Sequence, residues 1–373
     1  MSGSPHTPRL LPGLVILFAV ISLTLLGLVI LASASQSVQA GSILQRQVMW
    51  LMIALVMGVV SATINLDRLR EWAPWLLGAS FLLLVAVLIP HIGVKVNGAR
   101  RWINLGPMNF QVTDLVKVMS VFWFAHWFGL HQRRLESVVY GYLIPICVLA
   151  AMFLLTLLQP DYGTAFLLGM VGFSMLFLAG ARLRFLVPTL LLAAAFFALM
   201  ILHNPVRMAR ITSFMNLEAH QQDTGYQLKQ GLIAFGNGGT HGVGLGNGRQ
   251  QWAYMPEAHT DFIFPIIGEE LGLPFTIGVL ATFALFAMVV IREAKRAPNL
   301  FYYTLSIGSA LMITYQALLN VGVVTGILPT KGISLPFISY GGSNLVATFM
   351  FVGILLNCFR TWQRPRIEHP VEL

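Results

Sequence analysis

Charge is scarce in this chain. Asp, Glu, Lys and Arg supply 10% of its 373 residues against a hydrophobic share of 57%, a balance that excludes a soluble globular domain. Cysteine is nearly missing as well. Cys147 and Cys358 each fall in an apolar run, which excludes a disulfide framework and a cysteine-based zinc site. No Gly-Lys-Ser/Thr closes the glycine-rich stretch, and no βαβ context surrounds it, so neither a nucleotide loop nor a dinucleotide fingerprint is present. A Ser/His/Asp elbow and a basic–aromatic surface for nucleic acid are also lacking.

What is there is a series of apolar runs of membrane length, with a mean hydropathy of +0.76. They predict an all-α, polytopic integral membrane protein with about ten transmembrane helices, at about 11–33, 44–65, 72–91, 112–131, 138–157, 162–180, 184–203, 262–291, 300–326 and 337–360. The first run is too long for a secretory h-region and reads as a retained helix. No internal repeat or soluble domain interrupts residues 1–373, which read as one transmembrane domain. One large external loop, about 204–261, is expected between helices 7 and 8, and a tail at about 361–373. An even number of spans puts both termini on one side. The short basic turns holding Arg68, Arg70, Arg133, Arg134, Arg182, Arg184, Arg292, Lys295 and Arg296 make that side cytoplasmic. The 92–111 loop opposes this rule. It carries Lys95, Arg100 and Arg101 outside, where binding an anionic ligand is the obvious use for them.

The organising stretch is Arg249–Gly272, where a polar loop runs into a membrane helix. Glu257, His259, Asp261, Glu269 and Glu270 crowd there, and a carboxylate at such a seam must be solvated, paired or used. Asp261 is the leading candidate for chemistry. Asp114 and Lys117 open the fourth span at i, i+3, either as a self-neutralising pair or as a phosphate-binding Lys oriented by its Asp. In QPDYGTA (159–165), Asp161 reads chiefly as a helix cap. Glu269 and Glu270 read as structurally paired carboxylates, with a proton path as the second reading. Seven glycines between Gly236 and Gly248 form either a hinge or a backbone that closes over a bulky substrate. ILPTKGISLPFISYGGSN (327–344) cannot be a continuous helix, and it brings Lys331, Ser339, Tyr340 and Ser343 to an irregular external segment. His241, Glu257, His259 and Asp261 match no zinc pattern. A loosely held divalent cation, Mg2+ or Mn2+, between Asp261 and a pyrophosphate fits the residues better. No organic cofactor is expected.

NGARRWINLGP (97–107), QPDYGT (159–164), PEAHTDFIFPIIGEELG (256–272) and LPTKGISLPFISYGGS (328–343) occur in this order. With the ten-span layout they resemble the SEDS family of bacterial cell-wall proteins (shape, elongation, division and sporulation) over nearly the whole chain. LPTKG with Lys331 is closer to the family's division branch than to its elongation branch. The resemblance implies an inverting peptidoglycan glycosyltransferase in the cytoplasmic membrane, with its active site facing outward. It would polymerise lipid II with a class B penicillin-binding protein and other division proteins as partners. Asp261 maps onto the family's essential Asp, and Lys117, Asp114, Arg100, Arg101, Lys331 and Ser339 are the candidate substrate contacts. The chain departs from the family's Gln-Pro-Ser-Glu, having Gln111-Val112-Thr113-Asp114, so its carboxylate reaches one methylene less far. The competing reading of the same cavity is a lipid II flippase.

Overall fold

The structure, a computed structural model, describes residues 10–34, 41–96, 99–104, 106, 109–216, 225–248, 259–329 and 331–363. With no water in the bilayer core, backbone polar groups must be satisfied within each segment, and the apolar runs accordingly coil into helices. In order these are α1 (Leu11–Ala34), α2 (Gly41–Thr63), the short α3 (Leu66–Glu71), α4 (Ala73–Ala86) and α5 (Val112–Leu130). A π turn at Val139–Leu143 leads into α6 (Ile144–Leu158), followed by α7 (Tyr162–Leu178) and α8 (Leu183–Leu202). After α9 (Pro205–Met215) and α10 (Tyr226–Gly238) come α11 (Ile263–Leu271), α12 (Leu273–Ala294), α13 (Leu300–Val324) and α14 (Gly342–Gln363). All ten expected spans contain helix. Seven, counting Val139–Leu158 as one, are long and apolar enough to cross a membrane among the described residues. The helices α4 and α7 are shorter.

Three sequence expectations change. The 92–111 loop is a three-stranded antiparallel sheet of β1 (Gly93–Val96), β2 (Ala99–Asn104) and β3 (Asn109–Gln111), in that order, and β3 runs directly into α5. The 204–261 segment, expected as one large external loop, contains α9 and α10, and residues 217–224 lie outside the described residues. The eighth span is broken at Gly272, whose φ of +79° ends α11 one residue before α12 begins. The glycine-rich stretch explains that break. Val243 N donates to Glu269 O at 2.9 Å and Gly244 N to Glu270 O at 3.0 Å, satisfying carbonyls that the end of α11 leaves open. A Cβ at Gly242 would stand 2.2 Å from Glu270 O. Gly238 and Gly242 thus pack as a plug against the end of α11.

The centre of the protein is α13 and α14, whose side chains are largely sequestered, whereas α8 presents Leu190, Leu191 and Leu192 outward, as a lipid-facing helix should. Backbone-to-backbone approach joins α2 to α14, with a Cβ on Gly353 falling 2.2 Å from Gly58 O. Below it, Asn357 Nδ2 donates to Ser61 O at 3.0 Å and Ile64 O at 2.6 Å, closing the end of α2. Gly353→Ala must push these helices apart. It is expected to cost about 1–3 kcal/mol, read as a lowered melting temperature in detergent, and an unchanged melting temperature would contradict this packing.

Candidate active site

The polar centre is built outward from α5. Helical spacing puts Lys117 Nζ 2.7 Å from Asp114 Oδ1, with both residues buried. A buried pair of this kind needs its remaining lone pairs and protons satisfied. Ser343 Oγ, at the start of α14, donates to Asp114 Oδ2 at 2.7 Å. Lys117 Nζ also donates to Gln316 Oε1 at 3.2 Å and to Asn344 Oδ1 at 3.4 Å. Gln316 Nε2 in turn donates to Asn344 Oδ1 and to Ser334 O, both at 2.9 Å. The pair thus stands at a junction of α5, α13 and α14.

Asp261 sits just before α11, half-buried, where two irregular segments meet. Tyr340 N donates to His259 O at 2.9 Å, and Asn320 Nδ2 donates to both Asp261 O and Ile333 O at 2.7 Å. The Asp261 carboxylate lies against the Gly332 backbone, where an added Cβ would come 2.6 Å from Oδ2.

Asp261, Asp114 and Lys117 line one cavity of about 600 Å³, together with Arg46, Arg101, Trp50 and Trp102. The volume is that of a ligand site. Among the described residues its charged lining comprises three cations, Arg46, Arg101 and Lys117, and two carboxylates, Asp114 and Asp261. Arg101 Nη1 is 3.4 Å from Asp161 Oδ2, which also accepts from Gln111 Nε2 at 3.1 Å. Asp161 Oδ1 accepts from Thr164 N at 3.1 Å, so the expected cap also anchors Arg101.

Other sequence candidates lie elsewhere. Arg100 is paired opposite Lys95 in the sheet and is not part of the cavity lining. Lys331 is outside the lining too. Its Nζ is 4.7 Å from the centroids of both Phe166 and Phe197, and burial pushes its ammonium down to about 8. Ser339 Oγ accepts from Leu335 N at 2.7 Å and locks the turn before α14. Glu270 accepts from Ser33 Oγ at 2.7 Å and Gly246 N at 3.0 Å, and Glu269 from Asn237 Nδ2 at 3.4 Å; neither lines the cavity. This is the structural pairing that was expected. Arg249 and Glu257 lie outside the described residues. Among the described residues no three His, Cys, Asp or Glu side chains gather as a metal site.

Gln316 and Asn320 were not singled out from the sequence. The signal was available, since two amides four residues apart put hydrogen-bonding groups on one face of an otherwise apolar membrane helix.

Residues 14–363 match the FtsW/RodA/SpoVE family, described as cell cycle proteins. A protein of Coxiella burnetii named "Probable peptidoglycan glycosyltransferase FtsW" is 40% identical over 350 residues, covering 91% of this chain and 94% of that one. A Halorhodospira halophila protein of the same name is 42% identical over 368 residues, covering 95% and 92%. A chain from a study of structural coordination of polymerization and crosslinking by a peptidoglycan synthase complex superposes with a TM-score of 0.80 at 28% identity, covering 94% of this chain and 98% of its own. The crystal structure of the Thermus thermophilus rod shape determining protein RodA gives a TM-score of 0.70 at 29% identity, covering 94% and 97%.

Proposed function

This chain belongs to the FtsW/RodA/SpoVE family and is a peptidoglycan glycosyltransferase, and from that premise we propose that it polymerises lipid II with Asp261 as general base. One observation carries the assignment of roles. The Asp261 carboxylate and the buried Lys117–Asp114 pair, which come from distant parts of the chain, line the same cavity together with Arg46 and Arg101.

The reaction joins a sugar hydroxyl of one lipid II to the anomeric carbon of another, with inversion. The C–O bond to the polyprenyl pyrophosphate breaks as the new glycosidic bond forms. Asp261 takes the proton from the attacking hydroxyl. Lys117, Arg101 and Arg46 stabilise the negative charge that develops on the pyrophosphate. An activated pyrophosphate leaves without protonation, so the two flanking carboxylates of glycosidases are not required. Asp114 holds Lys117 in place. Among the described residues a divalent cation would find one carboxylate here, Asp261, because Asp114 is committed to Lys117 and Ser343. That fits only a metal that draws most of its ligands from pyrophosphate and water. Positive-inside charge places the termini in the cytoplasm and the cavity outside. A class B penicillin-binding protein would supply the transpeptidase.

A flippase would use the same cavity. Glu269 and Glu270, which could have served a proton-coupled carrier, are bound against α1, α10 and the glycine-rich stretch instead. Purified protein in detergent, where flipping has no meaning, is expected to convert lipid II to glycan, alone or after co-purification with its penicillin-binding protein. Absence of glycan from both preparations, with lipid II still bound, would favour the carrier.

A further inference from the structure

Lys117 and Asp261, the proposed cation and base, are each held by an amide side chain of α13. Lys117 is fixed by bonds to its own ammonium. Asp261 is fixed at its backbone, by an amide that reaches two segments at once. Asn320, buried on α13, donates from one Nδ2 to Asp261 O and Ile333 O, each at 2.7 Å. Ile333 follows Gly332, the residue whose missing Cβ leaves room for the Asp261 carboxylate. The two carbonyls bracket the base, one on its own residue and one beside the surface it rests on.

We propose that Asn320 and Gly332 are positioning residues that together set the place of the Asp261 carboxylate. The proposal rests on the reading of Asp261 as base. Two carbonyl acceptors require two N–H donors on one short side chain, which among the residues of this size only Asn provides. Gly332 supplies the complementary face. It is exposed, so a methyl there disturbs little except the carboxylate, which would have to move by a few tenths of an ångström or more. Because the reaction needs the base within hydrogen-bond reach of the acceptor hydroxyl, small displacements act on turnover rather than on binding.

The protein contains its own control. Asn357 is also a buried Asn on a membrane helix, and its Nδ2 likewise donates to two backbone carbonyls, but these are Ser61 O and Ile64 O at the end of α2, away from the cavity. Asn320→Asp and Asn357→Asp therefore make the same local change, each replacing a two-donor amide with a carboxyl group of similar volume that offers at most one donor.

Glycan formation is measured as kcat and KM for lipid II, per folded molecule, beside melting temperature. Asn320→Asp is expected to lose about 30- to 100-fold in kcat, on the scale of an ångström of misplacement, with KM within about threefold. Gly332→Ala is expected to lose about tenfold in kcat with an unchanged melting temperature. Asn357→Asp should lower the melting temperature as Asn320→Asp does and keep its kcat within about twofold. Asp261→Asn runs in the same assay. Wild-type kcat in Asn320→Asp or Gly332→Ala, beside an inactive Asp261→Asn, overturns the clamp alone. An active Asp261→Asn overturns the base assignment, and the clamp with it.

Discussion

Asp261→Asn protein, purified and folded, is expected to bind lipid II and make essentially no glycan. The amide keeps the size of the carboxylate and much of its hydrogen bonding, but it cannot accept the hydroxyl proton. A positioned general base contributes about 10²- to 10⁴-fold, which sets the expected loss. Asp261→Glu tests the same point by geometry. It retains a base, but the existing carboxylate already rests on Gly332. The extra methylene must turn the group away, and displacement on the order of 1 Å can cost ~100-fold. Binding should survive in both variants because the cations of the cavity are untouched. Quantified glycan beside lipid II binding decides the matter, and wild-type polymerisation by the Asn protein would remove Asp261 from the mechanism.

The second large effect concerns Lys117. Lys117→Gln keeps an N–H donor toward Asp114 and removes the charge proposed to face the pyrophosphate. Loss of one such electrostatic contact costs about 10²- to 10³-fold in rate. It also strands a buried carboxylate, and breaking a buried pair costs about 3–5 kcal/mol, so the single variant is expected to be unstable as well as slow. Asp114→Asn combined with Lys117→Gln separates the two effects. The double variant removes both charges, and it should recover the melting temperature while staying inactive. Recovered polymerisation in the double variant would mean that the pair only makes burial tolerable, which is the other reading its sequence spacing allowed.

Most of the helical framework was legible in the sequence, because membrane length and hydropathy leave the backbone few alternatives. The break at Gly272 was overlooked. Gly272 followed by Pro274 is a stop-and-start signal for two helices, but the hydropathy of the run as a whole reads straight through it. The sheet at 93–111 was hidden by its charges, which drew attention to ligand binding and away from strand pairing. At the site, Lys117, Asp114, Arg101 and Asp261 were readable because ionisable groups at a membrane boundary demand a reason, and all four line the cavity. Arg100 and Lys331 carried the same kind of signal, and Ser339 that of a polar residue in an irregular segment, yet all three have other neighbours in the structure. Spacing alone does not say which way a loop residue points. Gln316 and Asn320 carry no charge and escaped notice, although their partners come from four segments.

The junction around Lys117 also bears on how such a protein is made. Asp114 and Lys117 are synthesised roughly two hundred residues ahead of Gln316, Ser343 and Asn344, their other partners. Domains emerge from the ribosome N-terminal end first, so during synthesis the i, i+3 pair travels with nothing but itself to offset its charges. The cavity wall closes only when Gly342–Asn344 arrive at the head of the last helix. Assembly is thus its own safeguard, because a chain arrested short of α14 has the base and the cation but no chamber in which they face one another.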